Sequence, residues 1–234
     1  MDSPFARTER IVGSAAMEKL RSSRVAVFGL GGVGGYAVEA LARSGVGALD
    51  LIDHDTIAVS NLNRQILALQ STLGRFKADV ARERVLDIHP DCSVTVHCLF
   101  FLPETADRID FSLFDYVVDA VDTVTAKLLI IERAQAAGVP VISAMGTGNK
   151  RQAAQLRVSD LYETSVCPLA RIMRKECRKR GIEHLKVVWS PEEPAVPFAG
   201  AGDETDPSVP GSTAFVPAAA GLLLANEVVN DLIK

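Results

Sequence analysis

Short apolar runs alternate with stretches of helical spacing over the first 150 residues of this chain. A short apolar run bounded by turn residues predicts a buried strand, whereas apolar residues three or four positions apart predict one face of a helix. This alternation predicts an α/β fold of the doubly wound, Rossmann-like kind, with a mostly parallel sheet. The predicted strands span residues 25–28, 48–53, 93–98, 114–122 and 138–145, and the longer predicted helices span residues 74–87 and 123–137.

The pattern changes after residue 150, where a strand at 155–160, a helix at 164–180 and a proline-rich loop at 191–211 are predicted. An apolar helix over residues 217–232 follows; polar residues interrupt it, so we expect no membrane span. We therefore divide the chain into a helical lead-in, a nucleotide-binding domain and a C-terminal extension that holds the basic helix, the loop and the closing helix. These parts span residues 1–22, 23–150 and 151–234.

Composition and charge narrow the class of protein. The chain has 234 residues, of which 48% are hydrophobic, and a formal net charge of -4. This balance argues against a general nucleic-acid binder, although a local basic patch can exist within an acidic total. The four cysteines form no C-x-x-C pair, so we expect neither a zinc site nor a redox dithiol, and a reducing cytoplasm is the expected location.

A glycine-rich turn follows the first predicted strand. Gly29, Gly31 and Gly34 have the G-x-G-x-x-G spacing that connects a buried strand to a helix, and Gly32 lies within the same turn. Such glycines let the backbone approach an anion, and the free N–H groups at the start of the helix carry the positive end of its dipole. The turn therefore predicts phosphate binding, but it leaves open which nucleotide is bound.

Polar residues after the second strand favour a triphosphate. Asp53 ends that strand, where a carboxylate accepts hydrogen bonds from the ribose of a dinucleotide or of ATP. Asp55, Asn63, Arg64 and Lys77 then add a second carboxylate, an amide and two cations. A hydride-transfer site has little need for these cations, whereas attack on the α-phosphorus of ATP requires cationic donors.

Asp122 lies at the end of the fourth predicted strand. Ligands of doubly wound folds bind at the carboxyl ends of the strands, so this carboxylate is well placed to hold Mg²⁺ against the phosphates. Asp122 also precedes the predicted helix 123–137, so a role as its N-cap remains open.

Six basic residues within ten positions mark the helix predicted at 164–180. Cationic side chains of this density can bind the phosphates of a polynucleotide, because each neutralised phosphate releases counterions. A solvated helix face remains the alternative. The candidate residues for binding RNA are Arg171, Arg174, Lys175, Arg178, Lys179 and Arg180.

Together these motifs resemble the adenylation domain shared by ubiquitin-activating enzymes and the bacterial ThiF, MoeB and HesA proteins. The resemblance covers residues 5–150. Further similarity, at residues 10–13, in the glycine-rich loop 146–150 and at residues 155–161 and 168–170, is greatest to the branch of tRNA threonylcarbamoyladenosine dehydratases (TcdA). The shared motifs are the glycine turn at 29–34, D-x-D at 53–55, N-x-N-R-Q at 61–65, the lysine at 77 and D-x-x-D at 119–122.

The resemblance implies that ATP activates a carboxylate as an acyl-adenylate and that pyrophosphate is released. In the dehydratase branch, the carboxylate belongs to the threonylcarbamoyl group on an adenosine beside the tRNA anticodon. Intramolecular attack then closes a ring and releases AMP, which is a net dehydration. This attack needs no protein nucleophile, because the attacking atom is already attached to the acyl group.

The resemblance also implies a role for individual residues. Arg10 matches the arginine that, in this family, reaches into the active site of the neighbouring subunit, which implies a homodimer. The other implied roles are phosphate contacts for Gly31 and Gly32, the ribose partner for Asp53, triphosphate contacts for Arg64 and Lys77, and the magnesium-linked carboxylate for Asp122.

Two other functions remain open at this point. One is an adenylyltransferase for a small sulfur-carrier protein with a C-terminal diglycine, for which a cysteine desulfurase or another sulfur acceptor would be a partner. Sulfur-carrier activators typically have two C-x-x-C zinc pairs, and this chain has none. The other is an NAD-binding or nucleotide-sensing protein without adenylation activity. Cys167 remains a candidate for a thioester-forming residue.

Overall fold

Seven strands form one sheet in the order β3-β2-β1-β4-β5-β7-β6. The computed structural model describes residues 3–196 and 210–234, so the middle of the loop predicted at 191–211 lies outside the described residues. The strands are β1 (Arg24–Phe28), β2 (Ala48–Ile52), β3 (Ser93–His97), β4 (Tyr116–Asp119), β5 (Val141–Ala144), β6 (Arg157–Asp160) and β7 (Lys186–Trp189). The helices are α1 (Ala6–Val12), α2 (Ser14–Ser22), α3 (Gly34–Arg43), α4 (Lys77–Ile88), α5 (Val124–Ala136), α6 (Pro168–Lys179) and α7 (Phe215–Leu232).

The predicted α/β class with a mostly parallel sheet is confirmed. β6 is the one strand of this sheet that pairs antiparallel, with β7, and all other neighbours are parallel. β1 pairs with β2 on one side and with β4 on the other, so the strand order reverses there. In doubly wound sheets a ligand binds beyond the carboxyl ends of the strands at such a reversal. The glycine turn follows β1 at this point.

Several elements differ from the prediction. β4 ends at Asp119, so Asp122 lies in the loop after it, and α6 begins at Pro168 and not at residue 164. The sequence pattern did not predict β7 because Lys186 interrupts its apolar residues, and the run that remains, 187–189, is shorter than the roughly four residues that identify a buried strand. α4 begins at Lys77 and not at residue 74, because the preceding residues pair with the loop after β2. There, Gly74 N–H donates to Ile57 O (2.8 Å), and Phe76 forms an antiparallel bridge with Thr56.

α7 lies directly against α3. A Cβ atom at Gly221 would lie 2.2 Å from Val33 O and 2.9 Å from Tyr36 Cβ, so the two helices approach each other at backbone distance. By length and composition alone, α7 could span a membrane. Within the fold, its residues Ala220, Leu224 and Val228 belong to the same buried core as the sheet. Residues on both sides of position 150 thus share one sheet and core, while the division at 150 remains a prediction.

The far end of α7 is held by a polar cluster around Asp231. Its carboxylate accepts hydrogen bonds from Lys186 Nζ (2.6 Å), Lys234 Nζ (2.8 Å) and Tyr116 Oη (2.8 Å). Burial alone would raise the pKa of Asp231, but these three hydrogen bonds outweigh it and lower the pKa from 3.8 to about 2. The cluster therefore stabilises the fold when Asp231 is ionised.

Replacing Asp231 with asparagine should make unfolding less dependent on pH. Since the folded pKa is depressed, the stabilisation is fully present above pH 4 and is lost as the pH falls towards 2. Near pH 7 we expect Asp231→Asn to lower the free energy of unfolding by about 2 kcal/mol, a difference that vanishes at about pH 2. Urea unfolding at several pH values measures this. Asp107→Asn, which breaks an exposed pair with Arg133, is the control and should have little effect at any pH.

Candidate nucleotide-binding site

The glycine turn packs so tightly that its first and last glycines cannot carry side chains. Gly29 has a φ of +84°, and a Cβ atom there would lie 2.8 Å from Ala120 O. A Cβ atom at Gly34 would lie 1.8 Å from Gly29 O. These two glycines therefore let α3 start directly against β1 and against the end of β4.

Backbone donors line the middle of the turn. The N–H groups of Gly31, Gly32 and Val33 donate to no backbone or side-chain acceptor in the described part of the chain. They precede α3, whose dipole places positive charge at this end. Gly31 and Gly32 are the two predicted phosphate contacts, and an anion with several oxygens satisfies this set of donors.

Asp53 connects the turn to Lys77. Its Oδ2 accepts the N–H of Leu30 (2.6 Å) and its Oδ1 accepts the N–H of Asp55 (2.8 Å), so both oxygens are fixed. Each oxygen keeps a second lone pair that a ribose hydroxyl can use. Asp55 in turn forms an ion pair with Lys77, with Oδ2 and Nζ 2.6 Å apart. Lys77 is buried in the first turn of α4, yet two of its three ammonium protons remain for another acceptor.

Arg64 covers the turn from the other side. The Arg64 side chain passes over Gly32, where a Cβ atom would lie 3.4 Å from Arg64 Cγ and 3.3 Å from Pro217 Cβ. Its Nη1 donates to Ser60 O (2.7 Å) and to Asn63 Oδ1 (2.9 Å). Asn63 Nδ2 donates to Ser212 O (3.0 Å), so the segment before α7 helps to position this arginine.

Two buried polar atoms near the turn lack a partner in the described part of the chain. They are Gln65 Oε1 and Thr213 Oγ1. Gln65 follows Arg64 and is 7% exposed; its Nε2 would lie 3.7 Å from a Cβ atom at Gly31. A buried polar group without a hydrogen bond is costly, so these atoms fit a site that receives a polar ligand or ordered water. Sequence reasoning assigned neither residue a role, although Gln65 belongs to the N-x-N-R-Q motif.

The loop after β4 brings Asp122 to the same place. Ala120 and Val121 contact Gly29, and a Cβ atom at Gly34 would lie 3.2 Å from Ala120 Cβ. Asp122 follows and is exposed; its carboxylate accepts a hydrogen bond from Thr123 Oγ1 (3.3 Å). The N-cap of α5 is Thr123, so the alternative role of Asp122 as N-cap is wrong. An exposed carboxylate in the loop beside the glycine turn is a suitable ligand for Mg²⁺.

Arg10 and Cys167 do not join this cluster. α1 carries Arg10, is anchored through Phe5, and packs near Gly45 beyond the opposite end of α3. The Arg10 side chain is exposed and makes no hydrogen bond or ion pair with the residues that the structure describes. Cys167 is only 1% exposed and lies in a hydrophobic core. Such burial does not suit a thioester-forming residue, which must be accessible.

The basic helix α6 starts at the carboxyl edge of the sheet and runs away from that edge. Its start contacts Gly146, the second residue after β5, where a Cβ atom would lie 3.6 Å from Cys167 Sγ. Because a helix rises about 1.5 Å per residue, Arg171 and Lys175 lie nearer this edge than Arg180. Intramolecular contacts occupy four of the six candidates. Arg174 donates to Thr164 O, Lys179 and Arg180 pair with Glu176, and Arg178 stacks on Tyr162.

The sequence pattern of the ThiF family matches residues 5–234 of this chain. The chain belongs to the ThiF family. This confirms the family resemblance drawn from the glycine turn and the polar motifs, and extends it over almost the whole chain. The residues that the fold gathers around the turn are those that carried the resemblance. Their individual roles remain proposals.

Named relatives in the ThiF family include a tRNA threonylcarbamoyladenosine dehydratase of Bacillus subtilis, which is 39% identical over 98% of this chain and 94% of its own length. A protein of the same name from Escherichia coli is 38% identical over 74% of this chain and 65% of its own length. The solved structure of the Escherichia coli dehydratase in complex with AMP matches with a TM-score of 0.90 at 31% identity, covering 98% of this chain and 94% of that one. The structure of the same protein in complex with ATP matches with a TM-score of 0.89.

Proposed function

We propose that this protein uses ATP to adenylate the carboxylate of threonylcarbamoyladenosine in tRNA and then closes the modification into a ring. The observation that carries this proposal is the arrangement of unpaired N–H groups, Arg64 and Lys77 around the glycine turn. The nearly full-length similarity to proteins named tRNA threonylcarbamoyladenosine dehydratases supports the choice of acceptor. We further propose a cytoplasmic enzyme, since its tRNA acceptor is found there.

The proposed reaction has two steps. In the first, a carboxylate oxygen of the acceptor attacks the α-phosphorus of ATP, the bond to the β-phosphate breaks, and pyrophosphate leaves. Arg64 and Lys77 stabilise the negative charge that develops on the transferring and leaving phosphates. In the second step, a nucleophilic atom of the same threonylcarbamoyl group attacks the activated acyl carbon, loses its proton and displaces AMP. Because the two groups belong to one molecule, the effective concentration of the nucleophile is high.

Asp122 is the residue that we propose to hold Mg²⁺. Its exposed carboxylate follows directly on the loop that touches Gly29, and carboxylate oxygens are the ligands that Mg²⁺ prefers. When bound, Mg²⁺ would neutralise part of the negative charge of the phosphates. Asp53 is proposed to hold the ribose, with its two oxygens already oriented by Leu30 and Asp55.

Comparing acceptors in one assay tests the proposal. Pyrophosphate and AMP are measured after adding threonylcarbamoylated tRNA, the same tRNA without the modification, or a small carrier protein that ends in diglycine. We expect both products only with the modified tRNA, together with loss of one water from its nucleoside, measured by mass spectrometry. Activity with the carrier protein alone would establish the second candidate function, which would require a sulfur acceptor such as a cysteine desulfurase. ATP failing to bind while NAD binds would contradict both.

A homodimer with Arg10 acting on the neighbouring subunit is also proposed, because Arg10 is exposed and lies away from the turn of its own chain. Arg10→Ala and Lys77→Ala should each be inactive. After the two variants are mixed and allowed to exchange subunits, half of the molecules combine both chains and each of these has one complete site. Activity should therefore return to about a quarter of the wild-type value. If Arg10 acts within its own chain, mixing restores nothing.

The anticodon arm of tRNA is proposed to lie along the start of α6. Arg171 and Lys175 are exposed and pair with no acidic residue in the described part of the chain, unlike Lys179 and Arg180. Replacing both residues with alanine should weaken tRNA binding about tenfold at physiological salt and reduce the slope of log Kd against log salt by about 1.5 to 2. Fluorescence anisotropy with labelled tRNA measures both. Lys179→Ala is the control; an equal loss there would contradict the assignment to the start of α6.

A further inference from the structure

Three buried polar side chains lie behind the loop that carries Asp122. Lys127, from the first turn of α5, donates through Nζ to Asp119 Oδ2 (2.9 Å) and to Ser143 Oγ (3.2 Å). Ser143 Oγ in turn donates to Asp119 Oδ2 (2.5 Å). All three residues have an exposed fraction of 0%. Asp119 ends β4, where it lies between Phe28 of β1 and Ser143 of β5.

The second oxygen of Asp119 fixes the loop itself. Asp119 Oδ1 accepts the N–H of Val121 (3.3 Å), one residue before Asp122. On the other side, Ala120 N–H donates to Phe28 O (2.8 Å), and the backbone of Ala120 contacts Gly29. The path of the chain from β4 to Asp122 is thus determined by β1, by the glycine turn and by the carboxylate of Asp119.

Stability alone explains this cluster poorly. Apolar residues of similar volume can replace a buried ion pair with little loss, because desolvation offsets the attraction of the charges. Lys127 also lies in the first turn of α5, where the helix dipole disfavours a cation. What apolar residues could not supply is the acceptor for Val121 N–H.

The geometry points to Asp119 as a positioning residue: oriented by Lys127, its carboxylate holds Val121 and so keeps Asp122 at the glycine turn. This inference depends on the proposed function, since it concerns the residue that is proposed to hold Mg²⁺. Asp119 and Lys127 are both fully buried and do not reach the nucleotide, so they act only through the loop. The Lys127 side chain orients the Asp119 carboxylate, and Ser143 restrains the same oxygen.

The test compares two double variants that remove the buried charges together. Lys127→Met with Asp119→Asn keeps an oxygen that can accept Val121 N–H, whereas Lys127→Met with Asp119→Leu removes it. Binding of α,β-methylene-ATP is measured by calorimetry with Mg²⁺ and with EDTA, and kcat and KM are measured with modified tRNA. Arg24→Met with Asp50→Leu is the control, because it removes another ion pair of the sheet that has a buried carboxylate, away from Asp122. Thermal unfolding monitors the fold.

We expect the leucine variant to fold, to lose most of the gain in nucleotide affinity that Mg²⁺ gives the wild type, and to lose about a hundredfold in kcat with little change in KM for tRNA. The asparagine variant should recover at least part of the magnesium-linked gain in affinity and at least part of kcat. A folded leucine variant with the wild-type magnesium gain and kcat overturns the inference. If that variant does not fold, Ser143→Ala decides: we expect a three- to tenfold loss in kcat, and wild-type values overturn the inference.

Failure of the proposed function would look different. The wild-type protein would then make no AMP with modified tRNA. The gain in nucleotide affinity that Mg²⁺ gives needs no acceptor, so it could still be measured and compared between the variants. The positioning role of Asp119 can therefore be judged even where the acceptor is another molecule.

Discussion

Lys77→Ala is expected to abolish AMP formation while leaving the fold intact. Lys77 Nζ lies 2.6 Å from Asp55, which is connected through Asp53 to the glycine turn, so its charge is directed at the site where the phosphates are proposed to bind. Removing a preorganised charge that stabilises a transition state lowers the rate by about 10²- to 10³-fold. We expect this loss in single-turnover release of AMP from radiolabelled ATP. Arg64→Ala should show a loss of similar size.

Lys19→Ala provides the control, since Lys19 is an exposed lysine of α2. It should have wild-type activity, which separates the effect of this position from a general loss of positive charge. Lys77 is buried, so thermal unfolding of each variant must accompany the kinetics. A well-folded Lys77→Ala protein that releases AMP at the wild-type rate would contradict the proposed role of this lysine.

Gly34→Ala is expected to prevent folding. The added methyl group would lie 1.8 Å from Gly29 O and 2.9 Å from its carbonyl carbon, so α3 would have to move away from β1. Overpacking in a rigid core costs about 1–3 kcal/mol where side chains can adjust, and more where only backbone can move, as it must here. We expect most of the protein to be insoluble, and any soluble fraction to unfold at a much lower temperature than the wild type.

Two other glycines separate steric clash from ligand binding. At Gly146 the nearest atom to an added methyl group is 3.6 Å away, so Gly146→Ala should fold normally. At Gly31 that distance is 3.7 Å, so Gly31→Ala should also fold but should weaken ATP binding, because the methyl group lies where phosphate is proposed to approach. If Gly34→Ala folds as well as Gly146→Ala, the tight contact between α3 and β1 is not required for folding.

Local motifs explain which parts of the site could be predicted from the sequence. The glycine spacing, Asp53 at a strand end and the N-x-N-R-Q run are set by short-range geometry, and the fold brings them together around one turn. Arg64 depends on a contact that no local pattern reveals, since Asn63 beside it is held by Ser212, far along the chain.

The buried charge of Lys127 was a feature that sequence reasoning missed. A lysine in a helix is usually exposed, so Lys127 received no role. One signal was nevertheless present: Lys127 lies at helical spacing with Ile130, Ile131 and Ala134, all of which are buried. A single charge on such a face needs a buried partner, and Asp119, at the end of the adjacent strand, is that partner.

The contacts of Ser212 and Pro217 have a consequence for how the protein matures on the ribosome. The glycine turn and Arg64 are synthesised early, but the residues that rest on Asn63 and Gly32 are translated much later. A nascent chain in which α7 is still inside the ribosome therefore lacks the contacts of Ser212 with Asn63 and of Pro217 with Gly32. Premature termination upstream of residue 212 would yield a product that cannot be rescued by added nucleotide, even though every G-x-G-x-x-G residue is already present.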